Sequence, residues 1–264
     1  MPLILKVLEP HWRTKNETMS RVRGRIEAVL DFSSVRGYRA AGDNPARWSG
    51  WLSHALPAPG AIQKEVHHPA LPFAEVPAFM AALAERDGVA ARALELTILT
   101  ASRTSETAQA RWSEVDMAAK LWTVPAERMK SRRPHRVPLS PRALAVLAVL
   151  PREAGGYLFP GTRKGDPISN MAMLALLKRM KRDDITVHGF RSSFRDWISE
   201  NTNHANVVAE AALAHVIGDK VESAYRRGDM LAKRARLMND WARFCSTPLP
   251  DTATVTPISA GRRA

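Results

Sequence analysis

Residues 120–139 read KLWTVPAERMKSRRPHRVPL. Leu121, Trp122 and Val124 form one short apolar run, and Val137 with Leu139 anchors a second. Such β-branched and aromatic runs, broken by Pro125 and Pro134, predict two strands over 120–124 and 135–139. Between them Glu127, Arg128, Met129, Lys130, Ser131, Arg132 and Arg133 make a cationic hairpin tip. The rest of the chain reads mostly as helix, so the expected class is mainly α with a small antiparallel β-sheet (α+β).

Upstream of the hairpin, Pro77 suits the first turn of a helix carrying Phe79, Met80 and Leu83 and stopping at Gly88. Residues 90–100 predict a strongly apolar helix, Arg103 falls at a break, and 106–112 resume a short helical run. Downstream, Ser140-Pro141 supplies an N-cap and a first-turn proline for a helix ending near Leu150. Ser169 caps the next helix, through Lys181, and further helices are expected over 190–200, 204–214, 220–228 and 230–245.

Near the start, Met19, Val22, Ile26, Val29 and Leu30 recur at helical spacing over 16–34. Arg21 and Arg25 lie elsewhere on that helix, and with Arg13, Lys15, Arg23 and Arg36 they make a basic module, either a DNA-facing surface or a solvated charged face. The proline-rich stretches Leu56-Pro57-Ala58-Pro59-Gly60 and His67-His68-Pro69-Ala70-Leu71-Pro72 interrupt any regular pattern and read as a linker, boundary included. The His67-His68 pair has no nearby residues to complete a metal-ligand set. Residues 246–264, rich in Pro, Thr and Ser, are expected to form a disordered tail.

Lys and Arg outnumber Asp and Glu by 39 to 26 over 264 residues, a net charge of +13, which favours nucleic acid as partner. The lone Cys245 excludes an internal disulfide framework and a cysteine zinc cluster and fits a reducing, cytoplasmic compartment. An uninterrupted apolar run of membrane-spanning length is absent, so no membrane partner is expected. Glycine-rich phosphate loops and clustered carboxylates for magnesium are also missing, since the acidic pair Asp183-Asp184 is expected to point apart on a helix.

One set of residues suits attack on a phosphodiester without metal. Arg103, His188 and Arg191 are donors for the charge that builds on phosphorus, and the His188–Arg191 spacing lets both reach one phosphate. Tyr225 is a candidate nucleophile: a phenol ionises near pH 10, so it needs surrounding cations or a base. His215 follows an apolar helix and can face the same phosphate. Lys130 on the hairpin suits a general acid for the leaving 5′-oxygen, while Arg132 and Arg133 grip the DNA backbone; the whole loop as a phosphate contact is the alternative.

Three blocks resemble the tyrosine recombinase family, prophage-type integrases in particular: Leu99-Thr100-Ala101-Ser102-Arg103-Thr104-Ser105-Glu106, then Trp122 to Leu139, then His188-Gly189-Phe190-Arg191 through Leu213-Ala214-His215 to Tyr225-Arg226-Arg227. The resemblance implies a catalytic domain over 73–245 with Arg103, Lys130, His188, Arg191 and His215 activating the phosphate, Glu106 supporting Arg103, and Tyr225 forming a 3′-phosphotyrosyl link. It implies no cofactor and no metal. It also implies double-stranded attachment sites as substrate, a homotetramer on DNA, and accessory DNA-bending proteins. Residues 1–60 resemble only the last part of a helical core-type DNA-binding domain, with 61–72 as linker. The turn around Arg103, usually flanked by glycine, carries Ser102 and Ser105 instead. Two other functions stay open on sequence alone: a non-catalytic DNA-binding remnant of a shortened integrase, and a topoisomerase-type nicking and rejoining activity.

Overall fold

The structure, a computed structural model, describes residues 2–40, 42–62, 69–152, 156–215 and 228–247. The chain divides into two units, Met1–His67 and His68–Ala264.

In the first unit α1 (Pro2–Trp12) and α2 (Asn16–Val35) pack together, followed by the single turn α3 (Pro59–Ile62). The start of the chain is therefore helical. Ile4, Leu8 and Trp12, one helical face of α1, are buried with Ala46, Leu52 and Leu56. Trp12 stacks on Trp48 at 5.6 Å and donates its indole N–H to the Pro57 carbonyl at 2.9 Å. Buried Asn44 ties the following loop to α2 by donating to the Glu27 carbonyl at 2.8 Å and to Asp31 at 2.7 Å. Leu3 and Val7 of α1 and Val29, Phe32 and Val35 of α2 stay exposed.

The second unit is built around α5 (Val89–Thr100), whose residues from Ala93 to Thr100 are all buried. A helix buried on every side must be enclosed, and its one buried carboxylate, Glu95, is paired with Arg92 and Arg142. The helices α4 (Val76–Ala84), α6 (Thr104–Ala108), α7 (Pro141–Ala148), α8 (Ala172–Arg179) and the last helix, α11 (Leu231–Cys245), all pack on α5. Trp241 of α11 donates to the Ile98 carbonyl at 2.8 Å in the middle of this core. The remaining helices, α9 (Gly189–Asn201) and α10 (Asn206–Ala212), pack against each other.

The sheet has three antiparallel strands in the order β1 (Val115–Asp116), β2 (Leu121–Val124), β3 (His135–Pro138). The short β1 adds to the expected hairpin. Trp122 pairs with Val137 and Val124 with His135, so His135 shares the inward face of β3 with Val137. Pro138 has no N–H to donate and sits on the edge strand β3, where none is needed.

Local differences from the sequence reading have local causes. The Pro77 helix ends at Ala84, and Gly88 instead precedes α5 with φ +96°, a backbone open to glycine. The helical run expected over 106–112 is α6 plus a 3₁₀ turn at Trp112–Glu114. Ser169 accepts from the Met171 amide at 3.2 Å in a turn before α8, so it is not that helix's N-cap. Asp183 and Asp184 lie in the turn after α8 rather than on a helix, with Asp184 held by Arg182 at 2.8 Å. The helix expected over 220–228 and the tail expected over 246–264 fall, apart from Gly228 and Ser246-Thr247, outside the described residues, as do His67 and His68. Among the described residues no helix is long and apolar enough to cross a membrane.

Candidate active site

Two helices end in the same way, and each ending delivers a site residue. At the end of α5, Ala101 takes the left-handed conformation (φ 48°) while its amide donates to Ile98 and that of Ser102 to Thr97, both at 3.2 Å. At the end of α10, Ala214 has φ 49°, its amide donates to Ala211 at 3.3 Å, and that of His215 donates to Glu210 at 3.0 Å. Both are Schellman turns, with alanine in the position glycine usually takes. Arg103 and His215 follow immediately.

Arg103 is half-buried, and its orientation comes from Glu106, which is 3% exposed. The Glu106 carboxylate accepts from the Arg103 amide at 2.8 Å and from its guanidinium at 2.7 Å. One carboxylate thus caps α6 and aims the arginine. His215 is set by the same logic. Its Nδ1 donates to Glu210 at 2.8 Å, leaving Nε2 as an acceptor. Burial opposes ionisation of Glu210, but hydrogen bonds from His215 and Arg195 outweigh it and hold the carboxyl below the usual range. Arg195 of α9 reaches Glu210 at 2.8 Å.

Arg191, 6% exposed, joins the two turns. Its guanidinium donates to the Ala101 carbonyl, to the Leu213 carbonyl at 2.7 Å, and to His215 Nε2 at 3.2 Å. A cation satisfying the free carbonyls of two helix ends is favourable to both. Burial, and then the neighbouring charge of Arg103, pull the Arg191 guanidinium down to about 10, so it stays charged at neutral pH. The start of α9 is placed by close packing. A Cβ on Gly189 would lie 2.2 Å from the Pro69 carbonyl oxygen and 2.8 Å from the Ala70 Cα, so only glycine fits.

The hairpin meets this cluster at its base. Arg128 donates to the Glu106 carbonyl at 2.9 Å and pairs with Glu114, which also accepts from Trp122 at 3.0 Å. His135 on β3 donates from Nε2 to the Ala212 carbonyl at 3.3 Å. Burial, then Arg234, lower its pKa to about 4, so its imidazole is neutral. Arg234 of α11, 2% exposed, donates to the Ala211 carbonyl at 3.3 Å and to the Arg136 carbonyl. Successive carbonyls at the end of α10 are therefore taken by Arg234, His135 and Arg191, from three different elements.

The structure thus brings together Arg103, Glu106, Arg191 and His215. His188 lies exposed at the N-terminal boundary of α9, with its carbonyl accepting from the Arg191 amide at 3.0 Å. Lys130, Arg132 and Arg133 are exposed on the hairpin loop, where Arg132 has φ 53°. Among the described residues no hydrogen bond or ion pair joins Lys130 to the arginine cluster. Tyr225 lies outside the described residues. In the first unit, Arg21 and Arg25 are exposed on α2, Arg21 paired with Glu17. Glu210, His135, Arg234 and Asp229 were not singled out from sequence. The pairings Glu210–His215, His135–Ala212 and Arg234–Arg136 span 5, 77 and 98 positions along the chain and follow no helical or strand period.

A family model described as "Phage integrase family" matches residues 69–230, and one described as "Phage integrase central domain" matches 1–51. Prophage integrase IntA of Escherichia coli (strain K12) is 41% identical over 166 residues, 61% of this chain and 40% of that protein. Prophage integrase IntZ of the same organism is 32% identical over 243 residues, 90% of this chain and 58% of that protein. The chain therefore spans about half the length of the curated relatives it matches. A lambda integrase tetramer bound to a Holliday junction shares the fold with a TM-score of 0.58 at 18% identity, covering 82% of this chain and 64% of that one. The first of these models alone covers more than half of the sequence, and the resemblance read from the three motif blocks is thereby shown: the chain belongs to the phage integrase family of tyrosine recombinases.

Proposed function

We propose that this protein is a site-specific DNA recombinase, an integrase that cleaves and rejoins strands through a 3′-phosphotyrosyl intermediate on Tyr225. The observation that carries this reading is the Arg191 guanidinium, bonded to both helix-end carbonyls and to His215, with Arg103 beside it. Two fixed guanidiniums and an imidazole, partly withdrawn from water, make a preorganised site for a phosphate whose charge grows in the transition state.

In the proposed step the Tyr225 phenolic oxygen attacks phosphorus and the bond from phosphorus to O5′ breaks. The phenol proton leaves to solvent. Lys130 protonates the departing O5′. Arg103, His188 and Arg191 hold the non-bridging oxygens. Attack by a 5′-hydroxyl of a partner strand reverses the step, so bond energy is conserved and neither cofactor nor metal is called for. Residues 73–245 serve as the catalytic domain and 1–60 as a core-type DNA-binding domain joined by 61–72. Arg21, Arg25, Arg132 and Arg133 contact DNA. The partners are double-stranded attachment sites. The lambda relative of this fold forms a tetramer on a Holliday junction, and a cytoplasmic homotetramer on two duplexes, aided by DNA-bending proteins, is the assembly proposed here.

The test is covalent capture. Nicked suicide DNA carrying a candidate attachment site is incubated with the protein and with Tyr225→Phe, and protein–DNA adducts are resolved by denaturing electrophoresis. The native chain is expected to form an adduct and the variant none. Absence of any adduct from the native chain would leave a DNA-binding remnant as the reading, and an equal adduct from the variant would move the nucleophile elsewhere.

A further inference from the structure

Among the described residues, Arg234 is the one fully buried cation that the proposed chemistry does not use. Burying a guanidinium is costly unless its donors are well matched, and here the match is incomplete: among the described residues its Nε has no partner. A residue selected for stability alone would more simply be an apolar side chain of the same length. What Arg234 does have is position. One guanidinium donates to the Arg136 carbonyl on β3 and to the Ala211 carbonyl at the end of α10, and lies 3.5 Å from the Asp229 carboxylate.

Asp229 completes the arrangement. Its Oδ2 accepts from the Arg136 side chain at 2.9 Å, and its Oδ1 accepts from the Leu231 amide at 3.2 Å, at the start of α11. Arg136 is therefore held twice, by its carbonyl through Arg234 and by its guanidinium through Asp229. Among the described residues β3 is an edge strand with a partner on one side only, and the loop it supports carries Lys130. The two contacts replace the restraint that a further strand would supply.

We propose that Arg234, with Asp229, is a positioning residue that holds the base of the Lys130 hairpin in place for protonation of the leaving 5′-oxygen. The inference rests on the recombinase reading above. A displacement of about 1 Å in a reacting group can cost on the order of 100-fold in rate. A defect confined to Lys130 has a chemical signature: a 5′-bridging sulfur leaves as a thiolate without needing a proton, so a substrate carrying it is insensitive to a misplaced acid.

The experiment uses the full chain and two suicide DNAs that differ only in bridging oxygen or sulfur. The variants are Arg234→Met, Arg234→Lys, Asp229→Asn and, as reference, Lys130→Ala. Each is first checked for cooperative thermal unfolding and DNA affinity; the conservative Lys and Asn changes decide the matter if Met does not fold. Arg234→Met is expected to form adduct about 100-fold more slowly than native on the oxygen substrate and within about 10-fold on the sulfur substrate, following Lys130→Ala. Arg234→Lys and Asp229→Asn are expected to lose less on oxygen and nothing on sulfur. Folded variants that cleave at the native rate, or that lose equally on both substrates, would overturn the proposal. Failure of the native chain to form adduct on either DNA would overturn the recombinase reading, and this inference with it.

Discussion

Arg191 donates to the Leu213 carbonyl at 2.7 Å, two residues before His215 in the chain. Because the same guanidinium also bonds the Ala101 carbonyl, two residues before Arg103, a single side chain of α9 sets the distance between the two other site residues. Arg191 is thus both a phosphate donor in the proposed chemistry and the joint that assembles the site.

Replacing it with lysine should therefore fail twice. An ammonium is a compact point charge without the planar fork needed to bridge both carbonyls and His215. Arg191→Lys is expected to lower adduct formation by on the order of 100- to 1000-fold. It should also cost about 2 kcal/mol of stability through unsatisfied buried carbonyls, read from urea unfolding. A variant that loses activity with unchanged stability would show that the carbonyl contacts are dispensable.

Glu106 is buried and accepts from the Arg103 amide and guanidinium. Glu106→Gln keeps the shape but removes the charge and turns one acceptor into a donor. Urea unfolding should show a loss of about 1–3 kcal/mol. Adduct formation should fall as well, because Arg103 loses the carboxylate that aims it.

His135 makes stability depend on pH. Its folded pKa is lowered from 6.5 to about 4 by burial and by Arg234, so the unfolded chain binds the proton first on acidification. Stability from this group is complete above about pH 6.5 and is lost as pH falls towards 4, with a total near 3 kcal/mol. His135→Gln should flatten the native curve of unfolding free energy between these values. An identical slope in both proteins would place the pH dependence elsewhere.

Gly189 sits where backbone meets backbone. Gly189→Ala would drive a Cβ into the Pro69 carbonyl, which no side-chain rotation relieves. A loss of about 1–3 kcal/mol is expected from the overpacking. Adduct formation should fall further than that of Ser199→Ala, a change near the far end of the same helix.

The small sheet and the helix order were legible because they rest on local signals: alternation in Trp122–Val124, the apolar Leu94, Leu96, Ile98 and Leu99, and the Ser140-Pro141 cap, whose hydroxyl accepts from Ala143 at 3.3 Å. Arg103, Arg191 and His215 were legible as chemistry-bearing residues in a recognisable order. Their supports were not. Glu210 lies five residues before His215, a spacing that does not share a helical face, and only the left-handed Ala214 folds the chain back to pair them. Arg234 and Asp229 look in sequence like ordinary surface charges of a basic helix.

By itself, then, the sequence determined which residue types stand in which order, the family, and the elements whose apolar period is local. The tertiary structure decided which main-chain carbonyls those residues face. That choice depends on free acceptors at the ends of α5 and α10, exposed by two left-handed alanines and met by cations from as far as 90 residues away. Nothing in a local pattern encodes such a pairing, since it arises only once the core around α5 has brought the two helix ends together.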